Sequence, residues 1–319
     1  MIIKQAAERV VLVRPGPGLV SAAVVAGLDV WVVSDLGPWP RPQDARPPAG
    51  LPPQRLLTVD FDDAEALRAL LADTVLKHGI GHVLYLASDL EKGLGTGSAA
   101  AAEEVLRELS ARREEPAGRL PDAVTIRRIL NQSRTSAVRA EEAQSVAEAR
   151  ALAEDFPLPV VIKSADKSGC WWTVPVHDRP GLDQWAEQAV TARHSAPYLV
   201  EELLTGAKFR VETLTVDGMH LVADITPEGN AAPLHDAERA GIRATVRALL
   251  DLAGYESGAT RTDVLVSARG SRIAAARDED RERERERERE ADRERDRERG
   301  GNGGSRATAA SGIERGTDR

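Results

Sequence analysis

The most constraining feature of this 319-residue chain is a series of four short strand-like segments between residues 156 and 218. The first, residues 158–163, reads Leu-Pro-Val-Val-Ile-Lys and therefore ends an apolar run on a lysine. The others span residues 171–176, 198–202 and 209–216, separated by polar turns or by an amphipathic stretch. Segments of this length and composition are typical of β-strands. The series predicts two successive hairpins.

The first segment ends at Lys163. A lysine at the end of a buried strand places a positive charge where phosphate oxygens could bind. A polar turn follows at residues 164–169, and its backbone N–H groups can point at the same phosphate oxygens. The third segment can offer main-chain groups to an adenine edge, and the acids Glu201 and Glu202 follow where a ribose would lie. An ordinary hairpin with a solvated lysine fits this spacing as well, so the order of the segments carries the interpretation.

That order resembles the ATP-grasp superfamily, and more narrowly its carboxylate–amine (amino-acid) ligases. The likeness covers roughly residues 5 to 275. The matching segments are Pro-Val-Val-Ile-Lys at 159–163, Ala-Asp-Lys-Ser-Gly at 165–169, Leu-Val-Glu-Glu at 199–202, Gly-Ala-Lys-Phe-Arg-Val-Glu-Thr at 206–213 and Thr-Arg-Thr-Asp-Val at 260–264.

The resemblance implies ATP and Mg²⁺ as cofactors and a small carboxylate or amino acid as substrate. In such ligases ATP phosphorylates the carboxylate, and an amine then attacks the acyl phosphate to give an amide. Lys163 would hold the α- and β-phosphates, while Ser168 and Gly169 would cover them. Adenine and ribose would meet Glu201 and the backbone around Glu202. The implied ATP-binding residues are Lys163, Ser168, Gly169, Glu201, Glu202, Leu203 and Glu212.

Magnesium requires hard oxygen ligands, which the family supplies as one acid followed by a Glu-x-Asn pair. Asp263, on a predicted strand, is the metal ligand that the resemblance implies. Ala275 and Arg277 stand at the expected Glu and Asn positions. An alanine cannot ligate a metal and an arginine would repel it, so the alternative ligands are Asp278, Glu279 or Asp280, just past the apparent end of the core.

Other positions also depart from the family pattern. Trp172 stands where a glycine of the phosphate loop would lie, and a bulky side chain there would obstruct close backbone approach. Lys208 replaces an acid that commonly faces the nucleotide, and Gln132 replaces a lysine that reaches a phosphate. The pattern is thus that of a nucleotide site with altered catalytic positions.

The predicted fold class is α/β: a small doubly wound domain with a parallel sheet, followed by an α+β ATP-grasp fold of two lobes. Buried strands are expected at residues 10–13 and 29–34, with a helix between them, because continuous apolar runs are typical of parallel strands. Residues 141–155 are expected to form one Ala/Glu-rich helix. The predicted domains are residues 1–115, 116–276 and a low-complexity tail at 277–319.

Residues 277–299 of that tail contain ten arginines and twelve acids, so the segment is either a solvated single helix or disordered. Because these charges nearly cancel and the whole chain carries −8, we do not expect nucleic-acid binding. No apolar run approaches membrane-spanning length, the N-terminus lacks a signal-peptide layout, and the one cysteine fits a reducing compartment. The expected location is the cytoplasm.

Two functions follow from these residues. The first is an ATP- and Mg²⁺-dependent ligase that joins a carboxylate to an amine. The second is a nucleotide-binding pseudoenzyme or partner-binding protein that keeps the fold with an impaired metal site. The sequence identifies neither the acid nor the amine, and it leaves the oligomeric state, a homodimer included, open.

Overall fold

The computed structural model describes residues 7–35, 51–86, 96–110, 119–134, 136–165 and 171–278. Three four-stranded sheets, here named A, B and C in chain order, make up this part of the protein. Within the described residues up to Asp278 the chain forms one compact unit. None of its described helices combines the length and the apolar composition needed to cross a membrane.

Sheet A is parallel, with the strand order β3-β2-β1-β4. Its strands are β1 (Arg9–Val13), β2 (Asp29–Asp35), β3 (Leu56–Val59) and β4 (His82–Tyr85). Residues of β1 enter two different apolar clusters in alternation, so the sheet is covered on both faces. The predicted buried strands and parallel sheet are confirmed.

Three helices accompany this sheet: α1 (Pro17–Val25), α2 (Ala64–His78) and α3 (Thr96–Ser110). Helix α2 begins after Asp63, whose carboxylate accepts the N–H groups of Glu65 and Ala66. Helix α1 packs on sheet C as well, and a Cβ added at Gly18 would lie 3.1 Å from the Ala223 carbonyl oxygen. This close approach places α1 directly on strand β10 (Met219–Pro227) of sheet C.

The connection to the second half contains α4 (Ala123–Ser133), β5 (Ala140–Ala143) and α5 (Val146–Asp155). The prediction of a single helix over residues 141–155 is wrong for its first residues. Residues 140–143 pair antiparallel with β8, so hydrogen bonding to a sheet edge overrides their helix propensity. The helix starts only after Ser145, whose hydroxyl accepts the N–H of Glu148.

Sheet B is antiparallel, with the order β5-β8-β6-β7. It comprises β5 together with β6 (Val160–Ala165), β7 (Trp171–Val176) and β8 (Ser195–Glu202). Helix α6 (Arg179–Thr191) joins β7 to β8 and, with α5, packs on one face of this sheet. The opposite face carries Lys163, because side chains alternate along a strand and Val160 and Ile162 point into the core.

Sheet C is antiparallel, with the order β10-β9-β11-β12. Its strands are β9 (Ala207–Val216), β10 (Met219–Pro227), β11 (Gly258–Ser267) and β12 (Gly270–Asp278). The strand β12 extends two residues beyond the predicted boundary at residue 276. The division between residues 115 and 116 stays a prediction.

One face of sheet C packs against helix α7 (Asp236–Ala253), which ends at Gly254 in a left-handed conformation. Phe209 and Val211 lie on this face. The alternate residues of β9 and their cross-strand neighbours form the other side, which we call the polar face. From their strand register its charged residues are Lys208, Arg210, Glu212, Asp224, Glu228, Arg261, Asp263, Arg272 and Arg277.

Candidate functional site: a buried cationic group where two sheets meet

The predicted phosphate ligand Lys163 is buried at the point where sheet B touches sheet C. Its side chain is 7% exposed. The ammonium Nζ lies 2.7 Å from Glu201 Oε2 on β8, and it donates a second hydrogen bond of 2.7 Å to the backbone carbonyl of Ala274 on β12. The structure therefore brings Lys163 and Glu201, two of the predicted site residues, into direct contact.

Arg127 on α4 completes this group, and sequence reasoning gave it no role. Its Nε donates to Glu201 Oε1 at 2.6 Å, and its two terminal nitrogens donate to the carbonyls of Ser136 (3.2 Å) and Ile273 (2.8 Å). The Ser136 hydroxyl in turn accepts the Ile273 N–H at 2.8 Å. One guanidinium thus ties α4, β8 and β12 together.

A signal for this role was present in the helix itself. Arg127 is three residues after Val124 and three before Leu130, and all three side chains are buried on one side of α4. A charged residue in the apolar row of an amphipathic helix requires a buried partner. The partner, Glu201, is 74 residues away, so the sequence alone could not identify it.

The buried group holds two cations and one carboxylate. Burial raises the pKa of Glu201, but the charges of Lys163 and Arg127 and their hydrogen bonds outweigh it, so the pKa lies below its usual value. Burial lowers the pKa of Lys163, and the positive charges of Arg127 and Arg277 lower it further against the opposing effect of Glu201. The excess of positive charge is what a bound anion would neutralise.

The backbone donors near the end of β8 already have protein partners. The Glu202 N–H donates to the Arg139 carbonyl at 2.9 Å, and the Leu203 N–H donates to the Pro159 carbonyl at 3.3 Å. The Glu202 carboxylate accepts the Arg139 N–H at 3.1 Å. The contact of Glu202 and Leu203 with adenine and ribose stays a prediction.

Two further predicted residues lie on the polar face of sheet C. Glu212 on β9 is buried, and it lies opposite Asp224 on one side and Arg261 on the other. Asp263 is on β11, with Arg210 and Ala275 as its neighbours on β9 and β12. Ser168 and Gly169 lie outside the described residues.

The residues around Asp263 do not fit a magnesium ion. A methyl group, that of Ala275, stands directly opposite the carboxylate, and the next pair on the same face of these two strands is Arg261 and Arg277. The Asp263 carboxylate itself is bound by Lys208, whose Nζ lies 3.1 Å from its Oδ2. A hard divalent cation needs several oxygen ligands, and the Glu228 carboxylate that lies on the same face is itself bound by Lys208 and Arg210.

Lys208 bridges two carboxylates on this face. Its Nζ is 2.9 Å from Glu228 Oε2 as well as close to Asp263, and Arg210 binds the other Glu228 oxygen at 2.6 Å. Although burial lowers the pKa of Lys208, the hydrogen bonds and charges of Glu228 and Asp263 raise it above its usual value. The hydrogen bond from Lys208 lowers the pKa of Glu228. Lys208 and Glu228 are therefore both charged at neutral pH.

The expected obstruction by Trp172 is not seen. Trp172 lies opposite Ser164 on β6, so its side chain is on the face of sheet B opposite to that of Lys163. There its ring stacks on His194, with the centroids 5.9 Å apart, and His194 Nδ1 hydrogen-bonds to Ser164 at 2.7 Å. Trp171 is the neighbour of Ala165 and shares the face of Lys163.

A second cluster of ligand-type side chains lies away from this site. Ligand atoms of Glu8, His82 and Asp217 all lie within 4.8 Å of one another. His82 lies in β4, whereas Glu8 directly precedes β1 and Asp217 lies in the turn between β9 and β10.

No protein-family model and no curated protein matches the chain. Its structure is similar to the crystal structure of an L-amino acid ligase from Bacillus licheniformis, with 17% identity and a TM-score of 0.42 over 86% of this chain and 68% of that one. A RimK domain ATP-grasp protein from Sphaerobacter thermophilus shows 17% identity and a TM-score of 0.40, with 84% and 90% of the chains covered.

A third similar structure is an N5-carboxyaminoimidazole synthase from Aspergillus clavatus, in complex with ADP and 5-aminoimidazole ribonucleotide. It shows 15% identity and a TM-score of 0.43 over 85% of this chain and 69% of that one. All three likenesses are distant.

Proposed function

We propose that this chain binds ATP, with the phosphates against the buried group of Lys163, Arg127 and Glu201. The observation that supports the proposal is the charge of that group: two cations share one carboxylate, at the junction of two sheets. Burying an uncompensated cation is costly, and a polyanionic ligand compensates it. The ATP-grasp resemblance, which assigns Lys163 to the phosphates, supports the same ligand.

The reaction that we propose for such a site is ligation of a carboxylate to an amine. The substrate carboxylate would attack the γ-phosphorus, ADP would leave, and the amine would then displace phosphate from the acyl phosphate. Positioned cations stabilise the charge on a phosphoryl group in transfer, and Lys163 and Arg277 are the described residues suited to this role. The acid and the amine are not specified by these residues.

A second candidate is binding of the nucleotide without turnover. The contact between Lys208 and Asp263 favours it, because the one acid expected to hold magnesium is bound by an ammonium group. Ala275 and Arg277 stand where two further ligands would be needed. On this reading the chain responds to ATP by a change in stability or in partner binding, rather than by chemistry.

Calorimetric titration of the full chain with ATP tests the binding proposal. We expect saturable binding at one site, and the Lys163→Met variant to lose it while unfolding at a similar temperature. Absence of binding under every ionic condition would refute the proposal. The Lys77→Ala variant, altered at an exposed lysine of α2, is the matched control.

Phosphate release separates the two candidates. The full chain is incubated with ATP, magnesium and mixtures of amino acids, and released phosphate is measured. Release that depends on an amino acid and disappears in Lys163→Met supports ligation. ATP binding without phosphate release supports the second candidate.

A further inference from the structure

The polar face of sheet C places protein cations where a bound metal would be needed. Lys208 Nζ lies between two carboxylate oxygens, 2.9 Å from Glu228 and 3.1 Å from Asp263. Carboxylates converging on one cation is the arrangement by which proteins hold divalent ions. Here the ammonium group takes that position, and Arg210 satisfies the remaining oxygen of Glu228.

The neighbouring pair of residues on the same face is also cationic. Arg261 and Arg277 lie directly opposite each other on β11 and β12, two residues along from the pair of Asp263 and Ala275. Arg277 is close enough to Lys163 for its charge to lower the lysine pKa. The Nε of Arg261 is buried and has no hydrogen-bond partner in the described part of the chain. These guanidinium groups add positive charge on β11 and β12 to that of the Lys163 group.

We propose that Lys208 and Arg277 replace the divalent cation of this site, so that its ligand is a metal-free nucleoside triphosphate rather than a magnesium complex. The inference rests on the proposed ATP site. Lys208 neutralises the carboxylates that would otherwise hold a metal, and Arg277 supplies charge next to the phosphates held at Lys163. A guanidinium group suits this role because it binds phosphate oxygens in a bidentate manner.

The direction of the magnesium effect follows from this arrangement. Magnesium neutralises part of the triphosphate charge, so the complex is attracted less strongly by fixed cations. It also brings a positive charge against Arg277, and no free carboxylate is available at Asp263 to offset the repulsion. Magnesium should therefore weaken nucleotide binding, which is the opposite of its effect on a site built from metal ligands.

The test is calorimetric titration of the full chain with ATP, once in EDTA and once in saturating magnesium. We expect ATP to bind about tenfold more tightly in EDTA, the size of effect that a charged hydrogen bond produces. Binding that is equal in the two buffers, or tighter with magnesium, would overturn the inference and leave the proposed ATP site intact. Absence of binding in both buffers would refute the proposed function and the inference together.

Variants of Lys208 and Arg277 test whether these two residues cause the preference for metal-free ATP. Lys208→Ala frees Asp263 and Glu228, so its preference for metal-free ATP should fall by about tenfold. Arg277→Ala should weaken the binding of metal-free ATP about tenfold and the binding of the magnesium complex less. Arg277→Lys should bind metal-free ATP more tightly than Arg277→Ala and less tightly than the wild type. The controls are Lys77→Ala and Arg243→Ala, at exposed positions on helices. If both site variants bind like the controls, or if only their unfolding temperatures change, the assignment is wrong.

Discussion

Lys163 on β6 and Glu201 on β8 form an ion pair away from solvent, with 2.7 Å between Nζ and Oε2 and side-chain exposures of 7% and 4%. Such a pair gives little net stability, because desolvation of the two charges offsets their attraction. Arg127 binds the same carboxylate, and this leaves the group with one positive charge in excess. The arrangement is better suited to holding an anion than to stabilising the fold.

Replacing Lys163 by methionine should abolish ATP binding without unfolding the chain. Glu201 keeps its bond to Arg127, so no buried carboxylate is left without a partner, and the methionine fills most of the space of the lysine stem. We expect the dissociation constant for ATP to rise by at least about tenfold, the effect of losing a charged hydrogen bond. Quenching of tryptophan fluorescence offers a second readout, since Trp171 shares the face of Lys163. Unchanged affinity would mean that the phosphates lie elsewhere.

Replacing Arg127 by alanine should mainly destabilise the fold. The variant leaves Glu201 with Lys163 alone and removes the bonds to the Ser136 and Ile273 carbonyls. The Ser136 and Ile273 carbonyls each lose this donor, which costs about 1–3 kcal/mol for a buried group left unpaired, and urea unfolding measures the free energy. The matched control is Arg128→Ala on the same helix, whose ion pair with Glu142 is exposed and worth at most about 1 kcal/mol. Similar losses in the two variants would contradict the structural role of Arg127.

Much of the fold follows from local patterns in the sequence. The apolar runs of β1 and β2 predicted a parallel sheet, and the cap residues Asp63 before α2 and Gly254 after α7 are of types typical of helix ends. Each signal is contained within a few neighbouring residues. The segment at 140–143 was assigned to a helix because its strand character comes from its partner β8, which is distant in sequence.

The candidate site could be predicted only in part. Lys163 and Glu201 stand at the ends of predicted strands, and the order of these strands along the chain was enough to assign both residues to a nucleotide site. Arg127 and Lys208 acquire their roles from partners 74 and 55 residues away, on other elements. Trp172 was expected to obstruct the site because a motif position does not say which face of a strand a side chain occupies. Pairing with Ser164 places it on the other face.

The stability of the chain should fall with acidification through the titration of Glu201. Its pKa in the folded state lies below the usual value of 4.5, so the unfolded chain takes up the proton at a higher pH than the folded one. The contribution is therefore fully present above about pH 4.5 and is lost as the pH falls through the lowered folded value.

Urea unfolding at a series of pH values between neutrality and the acid range measures this effect. We expect the free energy of unfolding to decline more steeply in the wild-type chain than in Glu201→Gln, which cannot titrate at this position. Glu228→Gln is the comparison at a more exposed carboxylate whose pKa is also lowered, chiefly by its hydrogen bond to Lys208. An acid slope that is the same in the wild type and in Glu201→Gln would show that Glu201 has no lowered pKa in the folded state.

Gly206, in the turn between β8 and β9, should not tolerate a side chain. Its φ angle is +154°, and an added Cβ would overlap the Val266 carbonyl oxygen and lie 2.9 Å from the carbonyl carbon. Because both atoms belong to backbone in sheet C, they cannot move aside without disturbing the pairing of β9 with β11. We expect Gly206→Ala to reduce the free energy of unfolding by about 2 kcal/mol or more.

The control for this prediction is Gly241→Ala within helix α7. The nearest atom to a Cβ there is the Ser271 hydroxyl oxygen at 3.6 Å, an ordinary contact. Alanine in a helix interior should raise the free energy of unfolding by about 0.5–1 kcal/mol. Since Lys208 lies two residues beyond Gly206, the Gly206 variant should also bind ATP more weakly, whereas Gly241→Ala should bind it like the wild type. Equal stability of the two variants would mean that the turn at Gly206 is not held against Val266.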